Sequence, residues 1–151
     1  MTRVLQDSDR PWLPLGGEGQ NFMKIISVDD KQHQVVLVVK FGPHAVYPKH
    51  LHLAGAIAYT IDGQWEYEEG TLGKGAWALE PPGTEHLPII SEKGATILAI
   101  LTSKDDQFVE VELPDGTVMK QDFAYFKRLY EMTPEEAARE NASGIKMKTR
   151  T

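Results

Sequence analysis

Residues 75–86 read GAWALEPPGTEH, and the way this stretch folds decides the architecture. Gly75 opens a short strand that runs to Glu80. Pro81-Pro82-Gly83 then turns the chain, because proline presets φ and glycine reaches φ > 0 at no steric cost. His86 begins the next strand. Upstream, YPKHLHLAGAIAY (Tyr47–Tyr59) places His50 and His52 one residue apart. On a strand, residues i and i+2 share a face with Cα atoms about 6.5–7 Å apart. Two imidazoles so placed can converge on one ion without backbone strain. The pair alone fits equally well with the solvent face of a half-exposed strand. A third histidine, His86, facing the pair across a small barrel favours the ligand reading. Three neutral nitrogens suit a borderline divalent metal and leave coordination positions open.

Outside these stretches the chain reads as strands of 5–8 residues separated by turn signals. They include FMKIISV (22–28), AIAYTI (56–61), QWEYE (64–68), ATILAILTS (95–103), FVEVEL (108–113) and TVMKQ (117–121). HQVVLVVKF (33–41) is so rich in β-branched residues that a strand buried on both faces is expected. Asp62-Gly63 predicts a tight hairpin. About ten strands with short turns point to an antiparallel sandwich or jelly roll. Phe123, Phe126, Leu129 and Tyr130 fall at helical spacing, and Thr133-Pro134-Glu135-Glu136 supplies a helix start. The expected organisation is one all-β domain over 1–151, with a core of about 20–120 and a C-terminal helical segment over 121–142.

The 151 residues carry a net charge of -6 and no cysteine. Disulfides, thiolate metal sites and a cysteine nucleophile are thereby excluded. Basic residues cluster only in KMKTR (146–150), so no nucleic-acid partner is expected. The first twelve residues hold no apolar signal core and no segment approaches the length of a membrane span, so a cytoplasmic location away from membranes is expected.

The spacing of Gly75, Pro81, Gly83 and His86 resembles the second motif of the cupin family. His50-x-His52, preceded by Gly42-Pro43 and followed by Gly63, resembles the first motif with a longer lead-in. The resemblance implies a jelly-roll β-barrel, assembled as a homodimer or homotetramer. One departure stands out. Metal-binding cupins usually carry a glutamate four or five residues after the second histidine, and here those positions are Ala56 and Ile57. A narrower cupin group keeps three histidines and uses ferrous iron and O2 to cleave carbon–carbon bonds: the acetylacetone and 2,4'-dihydroxyacetophenone dioxygenases. DGQWEYEEG (62–70) followed by GAWALEPPGTEH is similar to the latter. The resemblance implies Fe(II), with Zn or Ni as other occupants, on His50, His52 and His86. The implied substrate is a small β-diketone or hydroxyketone, held as an enolate by a centre that no carboxylate neutralises. Three alternatives stay open: a zinc-binding sensor similar to the cupin domain of anti-sigma factors, a Zn- or Ni-dependent lyase or hydrolase, and a metal-free binding protein.

Period-two geometry puts Trp65, Tyr67 and Glu69 on one face of their strand. Trp65 and Tyr67 are the candidates for a substrate pocket. Glu69 is a candidate catalytic residue, as a weak fourth ligand or as a partner holding an imidazole or a water; the alternative is a solvated residue before Gly70. Glu80 is the second candidate, hydrogen-bonding a histidine ring or, alternatively, only the turn backbone. His33 and His44 are expected at the surface.

Overall fold

The structure, a computed structural model, describes residues 1–15, 21–113, 115–142 and 148–149. Its strands are β1 (Leu13–Pro14), β2 (Phe22–Asp29), β3 (Gln34–Phe41), β4 (Ala45–Val46), β5 (His50–His52), β6 (Gly55–Tyr67) and β7 (Gly70–Gly73). They continue as β8 (Trp77–Glu80), β9 (Glu85–His86), β10 (Ile89–Thr102), β11 (Gln107–Glu112), β12 (Val118–Asp122) and β13 (Lys148–Thr149). Two helices, α1 (Phe123–Glu131) and α2 (Pro134–Ala142), follow β12. Among the described residues all strand pairs are antiparallel and form two sheets. The larger is centred on β10, flanked by β3 and β6; the smaller runs β12-β11-β5-β9. Packed face to face they make the jelly-roll sandwich expected of the sequence.

The core lies between the sheets. Phe108, Val111, Ile25 and Val35 are fully buried, and α1 adds Phe126 and Leu129 where it covers β2 and β12. Asp122 caps α1, its side chain accepting from the Tyr125 N–H at 2.9 Å. The inner face of the larger sheet changes from large to small residues along its rows. Leu37, Ala99, Ala58 and Ala78 face one another in register across β3, β10, β6 and β8. Alanines leave space where leucines would fill it. That space becomes a cavity beside the histidines.

Two local expectations are corrected. Asp62-Gly63 does not close a hairpin. β6 runs unbroken from Gly55 to Tyr67, and Gly63 (φ 78°) sits at an irregularity in its ladder with β10. A single residue at φ > 0 produces a bulge rather than a reversal when the partner strand continues alongside. The chain reverses instead at Glu68-Glu69, between β6 and β7. Second, β3 is not buried on both faces. Its burial alternates, with Val35 and Leu37 inside and Val36 and Val38 half-buried on the outer face. The apolar run therefore marks a sheet whose outer surface is itself apolar.

Candidate metal centre

β5 is only three residues long, yet it is held on both sides. Val111 and Val109 of β11 oppose His50 and His52, and on the other side His50 lies directly opposite His86 of β9. The Pro81–Thr84 turn is tied to the same strand. The His52 N–H donates to the Thr84 carbonyl at 2.8 Å, and the Gly83 N–H donates to the His52 carbonyl at 2.7 Å. Gly83 has φ 91°, which the turn requires and glycine tolerates. The turn motif therefore fixes His86 beside β5 in the same sheet, rather than facing the pair across the barrel as expected from the sequence. The rings of His52 and His86 are 5.7 Å apart, those of His50 and His52 4.9 Å, and those of His50 and His86 6.2 Å.

A carboxylate completes the group. Glu80, the last residue of β8, is buried, with Oε2 3.4 Å from His52 Nε2 and Oε1 4.0 Å from His86 Nε2. One donor atom from each of His52, Glu80 and His86 lies within 4.8 Å of the others. His50 borders this trio. Its Nδ1 is 3.2 Å from the Pro48 carbonyl, a contact made by the Nδ1–H tautomer, which leaves Nε2 as the nitrogen with a lone pair to offer. The expectation of a centre with no carboxylate is thus not what the structure places there. Glu80 is directly opposite Ala56 in the β6–β8 register. Ala56 is one of the two positions where the family pattern has its glutamate. The acid group enters the same face of the sheet from the neighbouring strand.

These residues suit a divalent cation. Buried polar atoms normally have partners, but His52 Nδ1 and Nε2 and His86 Nε2 are buried without a hydrogen-bond partner among the described residues. Burial lowers the pKa of His50 to about 4, reinforced by His86 and opposed by the Pro48 carbonyl. Burial, then the neighbouring His50 and His86, brings His52 down to about 3. His86 is lowered by burial, against the pull of Glu69 and Glu68. All three imidazoles are therefore neutral near pH 7, the form that binds metals. Burial pushes Glu80 up to about 6, with Glu69 adding and a hydrogen bond from Tyr67 opposing. The donor set of imidazoles and one carboxylate fits Zn, Fe or Ni and does not choose among them.

Tyr67 joins the carboxylate to the histidines. Its hydroxyl donates to Glu80 Oε1, and its ring stacks on His86 with centroids 3.8 Å apart and an interplanar angle of 13°. Burial and the Glu80 charge raise the Tyr67 pKa, so it remains a proton donor to the carboxylate. Trp65 packs edge-on against Tyr67 and donates from Nε1 to Thr60 Oγ1 at 2.8 Å. Trp65 and Tyr67 both line a cavity of about 110 Å3 between the sheets, bounded also by His50, His52, Glu80 and Ala58. Glu69 lies exposed in the β6–β7 turn, on the rim of a separate groove of about 480 Å3 that reaches Glu80 and His86 from outside. His44 is exposed, and half-buried His33 meets Asp106 at 3.0 Å.

Sequence reading missed Tyr47 and Gln121. Both line the cavity, Tyr47 hydrogen-bonds Gln121, and its ring stands edge-on to His50 at 5.1 Å. Tyr47 precedes His50 by three residues, in the segment leading into β5, a proximity that could have flagged it. Gln121 is distant in sequence and gave no signal.

Comparison with known proteins agrees with this fold. Among solved structures, similar ones include an RmlC-like cupin protein from Ralstonia eutropha JMP134 (TM-score 0.73, 19% identity, 86% of this chain and 85% of that chain). An acetylacetone dioxygenase from Acinetobacter johnsonii aligns with TM-score 0.69 and 11% identity over 86% of this chain and 90% of its own. The anti-sigma factor ChrR in complex with SigE, from Rhodobacter sphaeroides, aligns with TM-score 0.55 and 18% identity over 65% and 52%. At such identities these likenesses establish the fold. A search of curated proteins finds no match. The family model described as the ChrR cupin-like domain matches residues 1–104, and the chain belongs to that cupin family.

Proposed function

We propose that this protein is a metal-dependent cupin dioxygenase that cleaves a C–C bond of a small β-diketone or hydroxyketone with O2, using Fe(II) held by His50, His52 and His86 beside Glu80. One observation carries the reading: the donor group opens onto an apolar cavity of about 110 Å3 rather than being closed over by packing. Structural metal sites are closed, whereas catalytic ones keep space for substrate. A small ketone with apolar ends matches the volume and the lining, and the acetylacetone dioxygenase of the same fold offers a parallel.

When bound, the metal supplies a Lewis acid for the enolate oxygens and a site where O2 meets the substrate. The chain's own residues do the rest. The imidazoles are neutral, so Glu80 is the one donor of the group that would offset the cation's charge, and the Pro48 carbonyl fixes the tautomer of His50. Tyr67 holds Glu80, and its hydroxyl, donating to the carboxylate, favours the ionised form. Glu80 borders both the cavity and the histidines, so it is the candidate to take the proton lost when the ketone enolises. Trp65, Ala58 and the surrounding apolar side chains exclude water. Glu69, at the outer groove, acts through its charge on Glu80 and His86.

A second reading has a specific support. The family match is to the ChrR cupin-like domain, which favours a zinc-binding sensor or regulatory module; a Zn- or Ni-dependent lyase or hydrolase would use the same donors. Metal analysis of anaerobically purified protein, followed by oxygen-electrode assays with a panel of small diketones and hydroxyketones, separates them. Iron with ketone-dependent O2 uptake supports the dioxygenase. Tight zinc with no O2 uptake refutes it. In the first case His50→Ala, His52→Ala and His86→Ala each abolish iron retention and uptake, and full activity in His86→Ala removes the proposed centre.

A further inference from the structure

The sandwich is open along one edge. β8 pairs with β6 alone and β9 with β5 alone, so each is the last strand of its sheet among the described residues. The groove of about 480 Å3 follows this edge, lined by residues of β7, β8 and β9 and of the turn between the last two. Sheet edges are commonly blunted by charge. Here Trp77 and Leu79, 60% and 74% exposed, supply an apolar wall. At the inner end stand Glu80 and His86, and His86 Nε2 is buried without a hydrogen-bond partner among the described residues. The rim has one sign of charge. Glu69 lines it, Glu68 precedes it in the same exposed turn, and both charges act on His86. Among the described residues no lysine or arginine lines the groove. Lys49, which feels the Glu68 charge, is itself paired with Glu85 at 2.6 Å.

We infer that this groove is the entrance through which the ketone of the proposed reaction reaches the donor group, and that Glu69 with Glu68 makes it selective for an uncharged molecule over a carboxylate of the same shape. The inference rests on that reaction and names the charge state in which its substrate arrives. Position is the first reason. Tyr67 and Glu80 line both the groove and the inner cavity, so the two spaces meet at one hydrogen-bonded pair. A molecule held against Trp77 and Leu79 lies beside His86 and the carboxylate before it is inside. Charge is the second. A cleft lined by one sign of charge focuses its field on whatever enters. Two carboxylates within about a Debye length of the path slow an entering anion by about 5- to 10-fold at low salt and leave a neutral molecule unaffected. The chemistry inside agrees. When a neutral ketone enolises, its C–H bond breaks, the electron pair passes to the enolate oxygen and the proton to the Glu80 carboxylate, so the net charge of the site is unchanged. A substrate arriving as an anion would carry its charge past Glu69 and add it to that of Glu80.

The test is the rate at which two ligands reach the centre. Stopped-flow absorbance of the Co(II)-loaded full chain, mixed without oxygen with 2,4-pentanedione or with acetoacetate, gives both association rates; the ligands have nearly the same shape and differ by one charge. Glu68→Gln/Glu69→Gln is expected to raise the acetoacetate rate relative to the pentanedione rate by about 5- to 10-fold at low salt, with the gain shrinking at high salt. Thr71→Trp, at an exposed position of the groove wall, is expected to slow both ligands by about 10-fold, while the visible spectrum of the ligand-free Co(II) protein stays that of the wild type. An unchanged rate ratio in the double variant overturns the selectivity, and unchanged rates in Thr71→Trp overturn the entrance. Failure of the reaction itself reads out elsewhere, as an iron-loaded wild type without ketone-dependent O2 uptake. Intact uptake beside unchanged rates refutes the inference alone, and a Co(II) protein that binds neither ligand overturns both.

Discussion

Replacing Tyr67 by phenylalanine isolates one hydrogen bond at the metal centre. Phenylalanine keeps the ring that stacks on His86 at 3.8 Å and loses only the hydroxyl that donates to Glu80 Oε1. That bond lowers the Glu80 pKa, which burial and Glu69 raise. A hydrogen bond to a charged group is worth about 1.5–3 kcal/mol, and 1.36 kcal/mol is one pKa unit, so its loss moves Glu80 up by about 1–2 units. From about 6 in the wild type the carboxyl would then titrate near 7–8. At pH 7 the ionised fraction falls from about nine-tenths to between one-half and one-tenth, and metal affinity falls about 2- to 10-fold with it. At pH 9 the carboxyl is ionised in both proteins, and the affinities converge. Stability moves consistently. A carboxyl raised above its unfolded pKa contributes stability below the unfolded value and loses it as pH rises through the folded one. The metal-free variant is therefore less stable than the wild type above pH 6. Zn(II) or Co(II) competition titrations at pH 7 and pH 9 decide the matter. A deficit of equal size at both pH values would refute the reasoning, because a structural loss does not vanish when the carboxyl ionises.

Three further outcomes follow from the same geometry. Metal-free protein loses stability as pH falls from 6.5 towards 4 and then 3, because unfolding lets His50 and His52 take protons that burial denies them. Glu80 opposes this between 4.5 and about 6. The two histidines outweigh it by about 1 kcal/mol or more per pH unit, and thermal melts in chelator that rise on acidification would contradict the assignment. Glu80→Ala weakens metal binding at least 10-fold; adding Ala56→Glu, directly opposite on β6, restores part of it, measured by the same competition titration. Gly63→Ala places a Cβ 2.1 Å from the Gly94 carbonyl oxygen at φ 78°, costing about 2 kcal/mol or more, and a urea midpoint equal to the wild type would show that the β6 bulge relaxes freely.

The two histidine motifs were legible because their geometry is local. An alternating strand puts His50 and His52 on one face, and a Pro-Pro-Gly turn of fixed length delivers His86. The turn hydrogen bonds to the His52 backbone are the physical content of that spacing. The strand content and the C-terminal helical segment were legible for the same reason. Asp62-Gly63 misled because φ > 0 at one glycine serves a bulge as well as a turn, and only the partner strand decides which. β10 runs beside both halves of β6 and keeps it whole. The β3 run misled through an assumption that apolar residues are interior. The rows shared by Val36 with Ile100 and by Val38 with Leu98 face outwards.

Glu80 shows where a linear reading stops. A ligand missing four residues after a histidine looks like a ligand lost, since sequence distance is the only measure a motif has. In a sheet the relevant distance is across the ladder. Ala56 and Glu80 are separated by 24 positions and yet are direct cross-strand partners with side chains on the same face. The two placements differ in what surrounds the carboxylate. On β6 it would sit at the second residue of a long strand, paired on both sides by β10 and β8. On β8 it sits at the last residue of a four-residue strand, next to Pro81, within reach of the Tyr67 hydroxyl and of the Glu69 charge. That setting raises its pKa to about 6, so a change of one unit in local pKa changes its charge at neutral pH. There its charge answers to the Tyr67 hydroxyl and to Glu69 as well as to the histidines beside it.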